Sequence, residues 1–167
     1  KDDGSLLQLR EVTSGKLIQR FHSPDNPSVE LEFDFRQRLL ALSGKKRIEL
    51  WNLEEIETKT TPSEISRYRI WQQETKTSGE MKFSLKSAKL RWIEGKELKE
   101  IPIKPPFIKS KVWTEVKESV SAIAFTADEA LVVVALAKDD GSLLELREVT
   151  SGKLIQRFHS PDNPSEE

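Results

Sequence analysis

The stretch that decides the fold runs from Ser119 to Phe158, "SVSAIAFTADEALVVVALAKDDGSLLELREVTSGKLIQRF". Val120 to Phe125 and Leu131 to Leu136 are short apolar runs, with a turn over Thr126 to Glu129 between them. Leu143 to Val149 and Lys153 to Phe158 follow, set off by "KDDGS" and "TSG". Asp, Gly and Ser clusters between short apolar runs mark hairpin turns, so the segment reads as a four-stranded antiparallel meander.

A second segment has the same plan. "SVELEFDFRQRLLALSGKKRIELWNLEE", Ser28 to Glu55, places strands at Val29 to Phe35, Arg38 to Leu42 and Arg47 to Leu53, with turns at "RQ" and "SGKK". In both segments an apolar strand ends in Phe (Phe33, Phe125) and a second apolar strand follows (Leu39-Leu40-Ala41, Leu131-Val132-Val133). The third strand of the earlier segment closes on Trp51-Asn52. This plan resembles the WD40 repeat, and the resemblance implies β-propeller blades. Two features depart from the family pattern: Arg10-Glu11 and Arg147-Glu148 stand where Trp-Asp is usual, and no Gly-His dipeptide is present.

The two ends of the chain are copies. "GSLLQLREVTSGKLIQRFHSPDNPS" spans Gly4 to Ser28 and recurs from Gly141 to Ser165 with Glu145 in place of Gln8, an offset of 137 residues. At about 40 to 45 residues per WD40 blade, that offset holds about three blades. The expected organisation is residues 1–27 as the last two strands of a duplicated blade, 28–60 as a WD40-like blade, 61–118 as a diverged blade and connection, and 119–167 as another WD40-like blade. Within the diverged part, "KLRWIEGKELKEIPI" reads as third and fourth strands, and "SRYRIWQQE" and "MKFSLKSA" as the strands before them. Pro105-Pro106 lacks amide hydrogens, which confines the following segment to a sheet edge or a connection.

A propeller closes with roughly 4 to 8 blades. Three leave open ends, so the expected architecture is all-β, an incomplete ring or an oligomeric propeller, with the first two strands completed by another part of the chain or by a second copy. The alternation in "VELEFDF" puts Val29, Leu31, Phe33 and Phe35 on one face and Glu30, Glu32 and Asp34 on the other. The carboxylate face is expected to be wet or to meet lysines of the basic middle segment, because unpaired carboxylates are not buried. "VSAIAF" is apolar on both faces, as for a strand covered on both sides.

Composition sets outer bounds. Hydrophobic residues are 36% and charged residues 33%, with no cysteine, so there is neither a disulfide framework nor a thiolate site. Net charge is −1, but residues 81 to 117 are basic and 118 to 167 acidic. A start at Lys1 without methionine is expected of a piece of a longer chain. With no signal peptide and no apolar run of membrane-spanning length, a cytoplasmic location and no membrane partner are expected.

No catalytic pattern emerges. His22 and His159 are the same position of the duplicated segment "FHSPDNPS", not an acid-base pair. Asp2-Asp3-Gly4 and Asp139-Asp140-Gly141 lack the further oxygen ligands of a calcium loop. No metal and no cofactor are expected, and no enzymatic activity. The candidate partner-binding residues are His22, Asp25, Lys45, Lys46, Arg47, His159 and Asp162, on turns at blade ends. Among the tryptophans, Trp51 and Trp92 read as core, and Trp71 and Trp113 as exposed aromatics. The basic residues are not interleaved with aromatic platforms, which speaks against nucleic acid. The function expected is a protein-protein interaction scaffold that binds a protein or peptide. The alternative is a self-assembling or engineered repeat unit whose partner is another copy of itself, a homo-oligomer or part of a larger array.

Overall fold

The computed structural model describes residues 5–23, 28–34, 38–45, 47–54, 68–76, 79–84, 86–107, 109–138 and 141–159. Among these the chain forms fourteen strands: β1 (Ser5–Arg10), β2 (Leu17–Ser23), β3 (Ser28–Asp34), β4 (Leu39–Gly44), β5 (Arg47–Asn52), β6 (Arg69–Glu74), β7 (Met81–Ser84), β8 (Lys89–Glu94), β9 (Glu97–Pro102), β10 (Lys111–Glu115), β11 (Val120–Phe125), β12 (Leu131–Lys138), β13 (Gly141–Glu148) and β14 (Leu154–His159). They make one two-stranded sheet, β1-β2, and three four-stranded meanders in the orders β3-β4-β5-β6, β10-β9-β8-β7 and β11-β12-β13-β14. The chain divides into two compact units, Lys1–Phe83 and Ser84–Glu167.

The three meanders share details that no single turn sequence imposes. Each first hairpin turn holds a non-glycine residue at positive φ: Arg38 (49°), Ala88 (50°) and Glu129 (53°). In each, an amide just past the third strand donates to a carbonyl in that turn: Leu53 to Arg38, Ile103 to Ala88 and Val149 to Ala130. The same backbone tie recurring in three unlike sequences marks one repeated structural unit.

Two strand assignments differ from the sequence reading. Arg69–Glu74 pairs with β5, Leu50 opposite Trp71, and so is the fourth strand of the earlier meander. "KLRWIEGKELKEIPI" supplies second and third strands, β8 and β9, and the fourth is β10, at the sheet edge after the two prolines. The apolar pattern identified the strands but not where one sheet stops, since outer strands are half-wet and weakly patterned.

In the first unit, Leu7 of β1 packs with Leu40, Leu42, Trp51, Leu53 and Tyr68. β3 departs from expectation. Leu31 and Phe33 are exposed, while Asp34 is buried and Glu30 and Glu32 are half-buried. Glu30 Oε2 accepts the Met81 amide at 2.9 Å. The carboxylate face is therefore the covered one, with Lys82 close enough to bias Glu30 electrostatically, as the lysine alternative anticipated. On the apolar face Leu31 and Phe33 stand opposite Leu42 and Leu40, which pack with Leu7 of β1, yet both stay exposed.

In the second unit, Val132, Val134, Leu136, Leu143 and Val149 form a core with Ile93, Leu98, Val116 and Ile123. β11 is covered on one face only, since Ile123 is buried and Ala122 and Ala124 are exposed. That corrects the expectation of a strand covered on both sides.

Candidate functional site

A buried carboxylate sits on the third strand of every four-stranded sheet. Glu49 on β5 accepts Arg47 Nε at 2.5 Å and Trp51 Nε1 at 2.9 Å, with Arg69 Nη1 at 3.6 Å. Glu100 on β9 is held by Lys89 Nζ at 2.7 Å, Arg91 Nε at 3.1 Å and Lys111 Nζ at 3.2 Å. Glu145 on β13 takes Arg147 Nη2 at 2.6 Å and Arg157 Nε at 2.9 Å. Each clamp ties the third strand to its neighbours through charge-assisted bonds, which compensate the desolvation of the carboxylate. Burial alone would push Glu100 and Glu145 up, but the bonds from Lys89, Lys111 and Arg91, and from Arg147 and Arg157, hold both carboxyls below the usual range.

Sequence reasoning missed these clamps. The signal is present in "RIELW" and "ELR", where acid and base two apart on a strand share one face. In the first copy of the hairpin Gln8 replaces the carboxylate, and Arg10 donates to its Oε1 at 3.0 and 2.9 Å on an exposed face.

Around the Glu100 clamp lies a cavity of about 560 Å³, lined among others by Lys86, Lys89, Arg91, Lys111, Trp113 and Asp128. The Arg91 guanidinium stacks 4.8 Å over the Trp113 ring and 5.3 Å over Phe125. Trp113 Nε1 donates to Val149 O at 2.6 Å. Arg91 is buried, and its Nη1 has no hydrogen-bond partner among the described residues. The cavity thus combines an aromatic wall with four cations, Lys86, Lys89, Arg91 and Lys111, and three carboxylates, Glu100, Asp128 and Glu129, of which Glu100 takes Lys89, Arg91 and Lys111.

The residues singled out from sequence fall in several places. Lys45 is exposed and Arg47 half-buried; both line a second cavity of about 480 Å³ with Gln72, Gln73, Glu74 and Thr75 of the β6 end. Arg47 is already engaged by Glu49. His22 and His159 belong to β2 and β14, not to a turn. Asp25, Lys46 and Asp162 lie outside the described residues. Trp51 and Trp92 are core, whereas Trp71 and Trp113 are half-buried rather than exposed. No described cluster of His, Cys, Asp and Glu could hold a metal ion.

No family model matches the sequence, and no curated protein matches it. Solved structures do. The crystal structure of Kluyvelomyces marxianus Hsv2 aligns with a TM-score of 0.67 at 12% identity, over 92% of this chain and 43% of that one. KlHsv2 with loop 6CD replaced by a Gly-Ser linker aligns at 0.64 and 13% identity, over 92% of this chain and 46% of that one. Hsv2 is a yeast WD40 β-propeller, so the fold read from the sequence, antiparallel meanders as WD40-like blades, is the fold found. The chain spans less than half the length of these structures.

Proposed function

We propose that the chain is a non-enzymatic protein-interaction scaffold whose second unit takes an acidic peptide segment in the cavity beside Trp113. The observation that supports this is the Trp113 ring beside Lys89, Arg91 and Lys111, three cations on the one carboxylate of Glu100. A carboxylate side chain placed there meets the accessible ammonium groups of Lys89 and Lys111, and the half-buried ring supplies apolar contact. Strand edges hold these groups rigidly, which lowers the ordering cost of binding.

The test is fluorescence anisotropy with a labelled twelve-residue peptide rich in Asp and Glu. Binding should weaken with added salt and fall at least tenfold in Lys111→Glu, a residue whose side chain is largely exposed. Equal binding by the variant, or none by the wild type, removes the reading.

A second reading, self-association, is favoured by a separate observation. The two copies of the duplicated hairpin bury opposite faces: Val149 is 7% exposed, yet its counterpart Val12 is 99% exposed. A sequence apolar on both faces, with only one covered in each place, suits a blade that has neighbours on both sides. The particle mass by light scattering across a concentration series tests this reading, and a constant monomer mass refutes it.

A further inference from the structure

We propose that the edge of β1 that no described strand pairs with, together with Leu31 and Phe33, is a docking site for the β11-β12 hairpin of a second copy of this chain, so that two chains share one blade. The inference rests on the self-association reading and names its surfaces and register.

The argument starts from the edge. β1 pairs with β2 and with no other described strand. Its near-identical twin β13 uses that same edge to pair with β12, in the register Leu131 opposite Glu148, Val133 opposite Leu146 and Ala135 opposite Leu144. Transferred by the 137-residue offset, Leu131 of a second copy falls opposite Glu11, Val133 opposite Leu9 and Ala135 opposite Leu7. The backbone around the site is already set for this, since Glu11 and Gly15 repeat the hydrogen bonds that Glu148 and Gly152 make in the complete blade.

The face fits as well as the edge. Leu31 and Phe33 pair with Leu42 and Leu40, and those two pack with Leu7. The surface that covers Leu40 and Leu42 therefore stops short of β3, where Leu31 stays 51% and Phe33 50% exposed. Two strands beyond β1 would extend it over them. In the second unit those two strands are β11 and β12, whose outward face carries the exposed Ala122 and Ala124 and the half-buried Val133 and Ala135. Small apolar side chains on the incoming hairpin meet large ones on β3.

Within one chain that edge of β12 is occupied by β13. Docking therefore exchanges one hairpin for its twin, a swap in which the ladder lost equals the ladder gained. What differs is the cover placed over Leu31, Phe33, Ala122 and Ala124. Because the chain's own hairpin competes at high effective concentration, exchange depends on protein concentration.

The chain has no cysteine, so introduced thiols report only on the chosen pair. Full-length Glu11→Cys and Leu131→Cys chains are mixed at high concentration, unfolded in urea, refolded together, oxidised and separated without reductant. No chain carries both thiols, so any 11–131 disulfide joins two molecules. The Leu131→Cys, Glu148→Cys double variant, which must close a bond within one chain, confirms that this register can be cross-linked. The expected result is an 11–131 dimer at least tenfold above the 11–11 and 131–131 products, reduced several-fold when Leu31→Ser and Phe33→Ser are added to the Glu11→Cys chain. If light scattering finds oligomers but the cross-links are absent or statistical, the docking site is wrong and self-association stands. If the particles stay monomeric at every concentration, both fall.

Discussion

Leu6 and Leu143 occupy the same position of a duplicated hairpin, yet Leu6 is 63% exposed and Leu143 5%. The same residues in the same local conformation thus meet different surroundings. Local sequence sets the strand and its turn, and the neighbouring sheet decides which face is core. Pairs of equivalent substitutions in the two copies separate these two contributions, because propensity is shared and only packing differs.

The first such pair concerns the one natural difference between the copies. Glu145 is buried and takes both Arg147 and Arg157, so Glu145→Gln leaves these cations without a counter-charge. The loss should be roughly 1 to 3 kcal/mol, the range for a charged hydrogen bond with a buried partner. Gln8→Glu on the exposed face of β1 should stay within about 0.5 kcal/mol of wild type. Urea denaturation of both variants checks the contrast, and equal effects would contradict the difference in burial.

The second pair lies in the turn that follows. Gly15 and Gly152 both have positive φ, 67° and 69°, where a side chain is strained. A Cβ at Gly15 meets nothing within 4 Å, whereas at Gly152 it would lie 2.9 Å from Thr114 Oγ1. Gly15→Ala should cost about 1 kcal/mol from conformation alone. Gly152→Ala should add a steric penalty of about 1 kcal/mol or more, because β-branched Thr114 has little freedom to withdraw. Thermal melting of the two variants should show the larger drop for Gly152→Ala.

Much of the fold was legible because strands with apolar alternation announce themselves. Val120 to Phe125 was read with the bounds of β11, and the second meander was found from Phe33 and Trp51. What eluded reading was partnership. Arg69–Glu74 has no buried residue to mark its sheet, so nothing in it points back to β5 rather than forward. The faces of β3 were legible, but their order of burial was not, because it depends on the Met81 amide far along the chain donating to Glu30. The site was less legible still. Trp113 is legible as an aromatic, but the Glu100 clamp beside it joins the β8-β9 hairpin to β10, a segment the sequence leaves between an edge strand and a connection.

Stability should respond to acid in opposite senses at different carboxylates. Glu100 and Glu145 are held below the ordinary range in the folded state, so each contributes stability that is full above the unfolded value of about 4.3 and is lost as pH falls through the folded value. Glu30 is pushed up, by burial first and by Glu80 and Glu32 next, with the Met81 amide and Lys82 opposing. Its contribution is full below the unfolded value and is lost as pH rises through the folded one. Glu100→Gln should therefore lower Tm at pH 7, with the deficit shrinking as the medium is acidified through the folded value. Glu30→Gln should raise Tm at pH 7, with the gain fading as the medium is acidified. Melting curves at several pH values decide both, and a Glu30→Gln chain that is less stable at pH 7 would overturn the second.

The edge strand β3 offers a contrast between neighbours on one face. Phe33 stands opposite Leu40, and Leu31 opposite Leu42, so all four side chains share a surface. Leu42 is fully buried in the first unit's core, and Leu42→Ala removes packing on every side; about 2 to 5 kcal/mol is the expected loss. Leu31→Ser and Phe33→Ser each remove a side chain that is already half in water, so each should cost roughly 1 kcal/mol or less, a fraction of the full transfer value. Exposed apolar side chains on an unpaired strand edge also promote association between molecules. The serine variants should thus stay in solution at higher concentration than wild type while melting within a few degrees of it, whereas Leu42→Ala should melt far lower. Parallel melts and turbidity measurements separate the two effects, because a folded-state role for Leu31 and Phe33 would lower Tm together with association, and a surface role lowers association alone.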